Sequence, residues 1–308
     1  MKIKIGLILL IMWMLNGMLM PEGNEKQTER LFGQSYPGHQ PEMFFRGQVS
    51  TKGGIEFAVS IAPKEKGFYF IRFVPGKGKF AHYCEFDQGN ISKPRPVDHH
   101  FRFSYDGKYR YYEKIADGFS HRSPDAQYDL WISSKIGDRW GKSIKIKRPD
   151  IVSRHWNPFI TGDGKIYFNA PGKSGKQNIC VARFDGKKIT EINYLDAING
   201  GDAVYVEPVI DPEGRYMLFY SAGRADNFSQ KMVGDIYVSF KMDNGQWSRA
   251  YNLGDKINSV HEETFPAISP DGKLIFFSRP HGKHGGMPSI HWVRADFILS
   301  IKEGLKNQ

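Results

Sequence analysis

Short apolar and aromatic runs alternate with tight polar turns along most of this chain. Met217-Leu218-Phe219-Tyr220 and Leu274-Ile275-Phe276-Phe277 are two such runs, entered through Asp211-Pro212-Glu213-Gly214 and Pro270-Asp271-Gly272-Lys273. Runs rich in aromatic and β-branched residues, bounded by Gly, Pro and Asp, predict β-strands joined by hairpins. Each Asp-Gly pair suits a sharp turn, because glycine accepts positive φ without steric cost.

The pattern also repeats. One copy runs from Glu207-Pro208 through Asp235-Ile236-Tyr237-Val238 to Trp247, and the next restarts at Glu263-Thr264-Phe265-Pro266. Weaker copies follow the same frame. Ile160-Thr161-Gly162-Asp163-Gly164 leads into Ile166-Tyr167-Phe168, and Phe103-Ser104-Tyr105-Asp106-Gly107 leads into Tyr109-Arg110-Tyr111-Tyr112. Ser60-Ile61-Ala62-Pro63 before Phe68-Tyr69-Phe70 is the most degraded copy. A repeat of about 40 to 50 residues made only of short strands and turns marks a propeller blade. One blade cannot bury its own faces, so several must stack around an axis.

The expectation is an all-β chain, a β-propeller of five blades of four antiparallel strands; a degenerate sixth blade in a long loop is the alternative. Asp185-Gly186 and Asn244-Gly245 are expected to join third strands to fourth. Pro41-Glu42-Met43-Phe44 reads as the outer strand that completes the blade begun near Glu263, which leaves no open ring edge. Lys142 to Arg148 alternates like a solvated edge strand, and Ala295 to Leu305 reads as a short helix or a last strand.

The repeat resembles the Pro-Asp-motif, WD-repeat-like propeller repeats of TolB-like proteins of bacterial envelopes, over roughly residues 40 to 300. That resemblance implies an interaction scaffold working in the envelope, with ligands taken at a mouth of the central channel.

Residues 1–20 read as a signal peptide or signal anchor: Lys2 and Lys4 precede the apolar run Ile5 to Leu15. Residues 21–39 are a lead segment and 40–308 a single propeller domain. Export to the periplasm or medium is therefore expected, with membrane attachment only through an uncleaved anchor. The net charge of +10 is dispersed along the chain, and an exported location argues against nucleic acid as the partner. Cys84 and Cys180 fall at equivalent third-strand positions of non-adjacent blades, too far apart for a disulfide. No Cys-x-x-Cys or His-x-x-x-His spacing indicates zinc, and neither a metal nor a cofactor is expected.

Registered on the turns, Glu56, Asp98, His155, Tyr205 and Glu263 occupy one position, where each innermost strand begins. These polar groups are expected to ring one mouth of the channel, thickened by His99, His100, Arg154 and Glu207. The expected function is a non-catalytic, monomeric recognition module binding a protein or an anionic cell-envelope glycan there. The alternative is an enzyme on acidic carbohydrate. Glu56, Asp98 and Glu263 are the candidate carboxylates for a glycoside hydrolase. His99, His100 and His155 are the candidates for a metal-assisted lyase like the oligogalacturonate lyases. A peptidase is disfavoured, since no Gly-x-Ser-x-Gly elbow occurs.

Overall fold

The turns expected from Asp-Gly recur with the same bonding in successive hairpins. Gly107, Gly164, Gly214 and Gly272 hold φ of 70, 79, 72 and 72°, the left-handed region that costs glycine nothing. Ser104, Thr161 and Ser269 donate to the carboxylates of Asp106, Asp163 and Asp271 at 2.7, 2.5 and 2.5 Å. The Asp106 and Asp271 carboxylates also accept the amides of Lys108 and Lys273, both at 3.1 Å, as short side chains do in tight turns.

The computed structural model describes residues 29–51, 53–62, 66–119, 126–152, 155–228, 233–280 and 286–306. These hairpins build five antiparallel sheets ranged as a propeller. Blade one comprises Ile55–Ile61, Gly67–Val74 and Gly78–Asp87, with Asn90–Ile91 and Arg95–Val97 both pairing with its third strand. Blade two comprises Arg102–Phe103, Tyr109–Ile115 and Tyr128–Ile136, whose outer edge takes Arg139–Trp140 and Ile144–Ile146. Blade three runs Phe159–Ile160, Lys165–Pro171, Gln177–Phe184 and Ile189–Tyr194; blade four runs Val204–Ile210, Tyr216–Ala222, Gly234–Phe240 and Tyr251–Asn252. Blade five has Thr264–Ile268, Leu274–Pro280 and Pro288–Arg294, and its fourth strand is Glu42–Met43.

The closure expected from the early Pro41–Phe44 segment is thus present, with Met43 opposite His291 and Glu42 opposite Trp292. Phe44 follows that strand into the core between blades five and one. It is fully buried, its ring 5.1 Å from Phe68, 5.1 Å from Phe276 and 5.2 Å from Trp292. A small hairpin, Arg30–Leu31 with Gln34–Ser35, straps the same blade. Glu29 pairs with Lys273 and Arg294 at 2.8 and 2.7 Å, and the Tyr36 hydroxyl donates to Asp271 at 2.9 Å.

In blade four the middle strand Gly234–Phe240 is buried at every residue, because neighbouring blades cover both sides of the sheet. Ile144–Ile146 is the outer strand expected from the lysine-rich alternation, and Lys145 meets Asp129 at 2.6 Å. The C-terminal segment is a helix, Phe297–Lys306, which buries Phe297 and Ile298. Cys84 and Cys180 are free and buried, and burial pushes both thiols up to about 12. No helix among the described residues is long and apolar enough to cross a membrane.

Candidate functional site

The first strand of each blade faces the axis, and a bulge shapes it at one level. In blades one, four and five the pairing slips between Phe57 and Ser60, between Val206 and Val209, and between Thr264 and Ala267. Two residues of the bulged strand then oppose one of its partner, which re-aims the side chains around it. Ala58, Glu207 and Phe265 take up the strain with φ of 59, 60 and 53°, and Asn157 of blade three matches them at 44°. Asn157, Glu207 and Phe265 each precede a proline, which cannot donate to a ladder and so suits a bulge.

That bulge level lies two residues beyond the position where the sequence places its ring. Glu56 is 0 % exposed. Its carboxylate accepts from the Thr51 hydroxyl at 2.7 Å and from Arg72 Nε at 3.0 Å, and Arg72 also donates to the Val49 carbonyl at 3.1 Å. Glu263, also 0 % exposed, repeats the arrangement with the Ser259 hydroxyl at 2.6 Å, Arg279 Nε at 2.8 Å and the Ile257 carbonyl. Burial raises the Glu263 carboxyl above the ordinary carboxylate range. Tyr205 takes the same place in blade four: its hydroxyl donates to the Gly200 carbonyl at 2.7 Å and accepts from Arg224 at 3.2 Å. All three serve to pin the loop entering the blade onto the second strand or the loop after it.

Asp98 and His155 are exposed. His155 stacks on Tyr128 with ring centroids 3.4 Å apart, its Nδ1 3.8 Å from Glu113. His99, half-buried, stacks on Tyr112 at 3.9 Å, and burial lowers its pKa. Arg154 lies outside the described residues. The three histidines have separate surroundings, and among the described residues no three His, Cys, Asp or Glu side chains gather as a metal-holding group.

His100 and Glu207 are the two expected residues that meet at the axis. They line a cavity of about 60 Å³ with Ala58, Arg102, Tyr105 and Phe265, room for a few waters at most. His100 Nε2 donates to the Ala58 carbonyl at 2.5 Å, tying blade two to blade one. Burial, then the nearby Arg102 charge, drive this imidazole down to about 3, so it is neutral. Arg102 donates to the Pro158 carbonyl of blade three at 3.2 Å. Glu207 accepts the Phe265 amide of blade five at 2.7 Å. Tyr105 reaches past the neighbouring blades and donates to the Ile268 carbonyl of blade five at 3.0 Å, bracing the ring along a chord. In the cavity wall, Phe265 stacks on the buried Phe57 at 4.9 Å, and Lys79 lies 5.4 Å from the Phe57 ring. Arg102 and Phe265 are missing from the ring expected of the sequence; the X-Pro step inside an inner strand is the signal that points to the bulge residue.

Glu207 is the group of this cavity that titrates near neutrality. Burial raises it from 4.5 to about 7, against the Phe265 amide and Arg102, which favour the anion. A carboxyl raised in the native state holds protons that the unfolded chain has lost, so its contribution is full below about pH 4.5 and is gone above about pH 7. Glu207→Gln is therefore expected to match wild type at pH 4 and to exceed it at pH 8 by about 3 kcal/mol at most. Urea unfolding at the two pH values checks this; an equal difference at both would refute the assignment.

No family model matches this chain, and no curated protein matches it in sequence. Among solved structures it is similar to TolB from Acinetobacter baumannii, with 12% identity and a TM-score of 0.47 over 77% of this chain and 54% of that one. This chain thus spans about half the length of that protein. A glycosyl hydrolase from Bacteroides ovatus is similar at 8% identity and TM-score 0.46, covering 79% of this chain and 84% of the other. The GH43 BlXynB protein from Bacillus licheniformis is similar at 11% identity and TM-score 0.45, covering 80% and 54%.

Proposed function

We propose that this chain is an exported recognition module that receives a partner protein or an anionic cell-envelope glycan over the channel mouth. The observation that carries this reading is the size of the cavity beneath that mouth. At about 60 Å³ it falls well below the roughly 300–1,000 Å³ of pockets that enclose a small-molecule ligand. It suits one small polar group projecting from a larger partner, met by Arg102 and by Glu207 in either protonation state. Phe265 and Lys79 would bear on the partner outside. Export rests on the leader-like residues 1–20.

One observation favours the second reading, an enzyme on acidic carbohydrate. A carboxyl near pH 7 is the form a general acid takes. Glycoside hydrolysis needs a second carboxylate, however, and Glu56 and Glu263 are committed to their arginines.

A thermal-shift series with acidic and neutral glycans separates the readings. A ligand at about 100 times its Kd stabilises the native state by about 2.7 kcal/mol. For recognition of a glycan, the shift should appear with acidic chains, vanish in Arg102→Met and leave the glycan intact. Cleavage of the glycan, lost in Glu207→Gln, would transfer the site to the enzyme reading. Absence of any shift would remove the glycan and leave a protein partner, sought by photo-crosslinking from position 155.

A further inference from the structure

The hairpin that joins Tyr128–Ile136 to the outer strands of blade two carries charge that the fold does not answer. From Arg139 to Arg148 the chain has five cations, Arg139, Lys142, Lys145, Lys147 and Arg148, and no carboxylate. Lys145 meets Asp129 at 2.6 Å, and Arg148 donates to the Gln127 carboxamide at 2.5 Å. Arg139, Lys142 and Lys147 are exposed, and among the described residues no carboxylate lies within ion-pair distance of them. Lys135, on the strand before, leans on the Trp140 ring at 5.3 Å, and Asp138 in the turn is the one exposed carboxylate of this hairpin.

Apolar side chains stand among these cations. Ile136, at the turn, is 71 % exposed, the most of any large apolar side chain among the described residues, and Ile144 in the outer strand is 44 % exposed. Lysine alone is enough to keep an edge strand from pairing with another chain; isoleucine in water is no part of that device. Cations beside exposed apolar groups match a surface that is anionic outside and hydrocarbon within, which is an anionic bilayer. An acidic polysaccharide would answer the charge and leave both isoleucines in water. Inner strands begin at the mouth, so the third strand runs away from it, and the turn at Ile136 lies at the opposite end of blade two.

We propose that this rim of blade two is a membrane-docking surface, which lays the chain on a bilayer rich in anionic phospholipid. Arg139, Lys142 and Lys147 neutralise phosphate headgroups there, while Ile136 and Ile144 enter the boundary between headgroups and acyl chains. The contact is separate from any attachment through residues 1–20 and uses none of the axial groups, so it stands apart from the function assigned to the mouth. A chain docked this way leaves the channel mouth open.

The test uses the full chain with a polarity-sensitive dye on Ile136→Cys; Cys84 and Cys180 are buried and stay unlabelled. Vesicles of phosphatidylglycerol and phosphatidylcholine in equal parts should shift the dye emission to the blue, and vesicles of phosphatidylcholine alone should not. The same dye on Met242→Cys, 43 % exposed in the matching turn of blade four, should not shift. Residues 1–20 are common to every sample and cannot produce a shift confined to position 136. Changing Arg139, Lys142 and Lys147 together to Gln should weaken the vesicle affinity read at position 136 by about a hundredfold. These three make no ion pair, so that variant should unfold in urea as wild type does. No shift at position 136, an equal shift with phosphatidylcholine, an equal shift at position 242, or unchanged affinity in the triple variant would each overturn the proposal. So would a shift produced by polygalacturonate and not by vesicles, which would assign the rim to an acidic polysaccharide.

Discussion

Phe44→Ala should destabilise the fold by about 3–5 kcal/mol, the cost of emptying a packed aromatic site. Phe44 is fully buried between Phe68 of blade one and Phe276 and Trp292 of blade five. Its amide also donates to the Ile290 carbonyl at 2.9 Å, so the side chain anchors the strand that closes the ring. Loss of the ring face loosens that strand as well as opening a cavity. Urea unfolding gives the magnitude, and limited proteolysis near residue 40 reports the loosened strand. Phe80→Ala, at a residue 41 % exposed, is the control and should change stability by about 0.5 kcal/mol or less. If the two variants behave alike, closure does not depend on Phe44.

Arg279→Met should cost a comparable amount, about 3–5 kcal/mol at neutral pH, because it strands the Glu263 carboxylate in the interior. Glu263 has no exposed surface and keeps only Ser259 as a donor when Arg279 is gone. Burial already raises this carboxyl. Without the arginine it rises further and takes up a proton more readily, so the deficit should shrink as pH falls. Replacing the pair with Glu263→Leu and Arg279→Met together should recover most of the loss, since a buried ion pair exchanged for apolar volume is often neutral. A double variant no more stable than the single one would mean that Glu263 and Arg279 hold the loop through their bonds to Ser259 and Ile257, and that charge compensation is secondary.

The architecture was legible because its determinants are local and recur. Ser104, Thr161 and Ser269 each stand two residues before the aspartate they bond, and the glycine that follows fixes the turn. The closing strand was legible for the same reason, as a blade ending without a beginning. The axial site was less so. Alternation along a strand assigns faces only while the pairing is regular, and the bulges at Ala58, Glu207 and Phe265 break it. Glu56 and Glu263 hold equivalent places, as the register implied, but an arginine opposite each draws the carboxylate into the blade. Arg102 has no counterpart in the other repeats, so no register could single it out.

Closing the ring with the early strand Glu42–Met43 also sets an order of events in time. The Ser50 hydroxyl donates to the Ile290 carbonyl across 240 residues of sequence, and Glu42–Met43 waits equally long for its partner. At about 5–20 residues per second, the ribosome needs roughly ten seconds to a minute to supply that distance. Throughout this interval Phe44 has its blade-one neighbour Phe68 but lacks Phe276 and Trp292 of blade five, and four blades form a broken ring with open edges. Contacts this far apart in the chain also slow the final step. The nascent protein is thus most prone to aggregate just before it is finished, and a holding chaperone would act on the early strand.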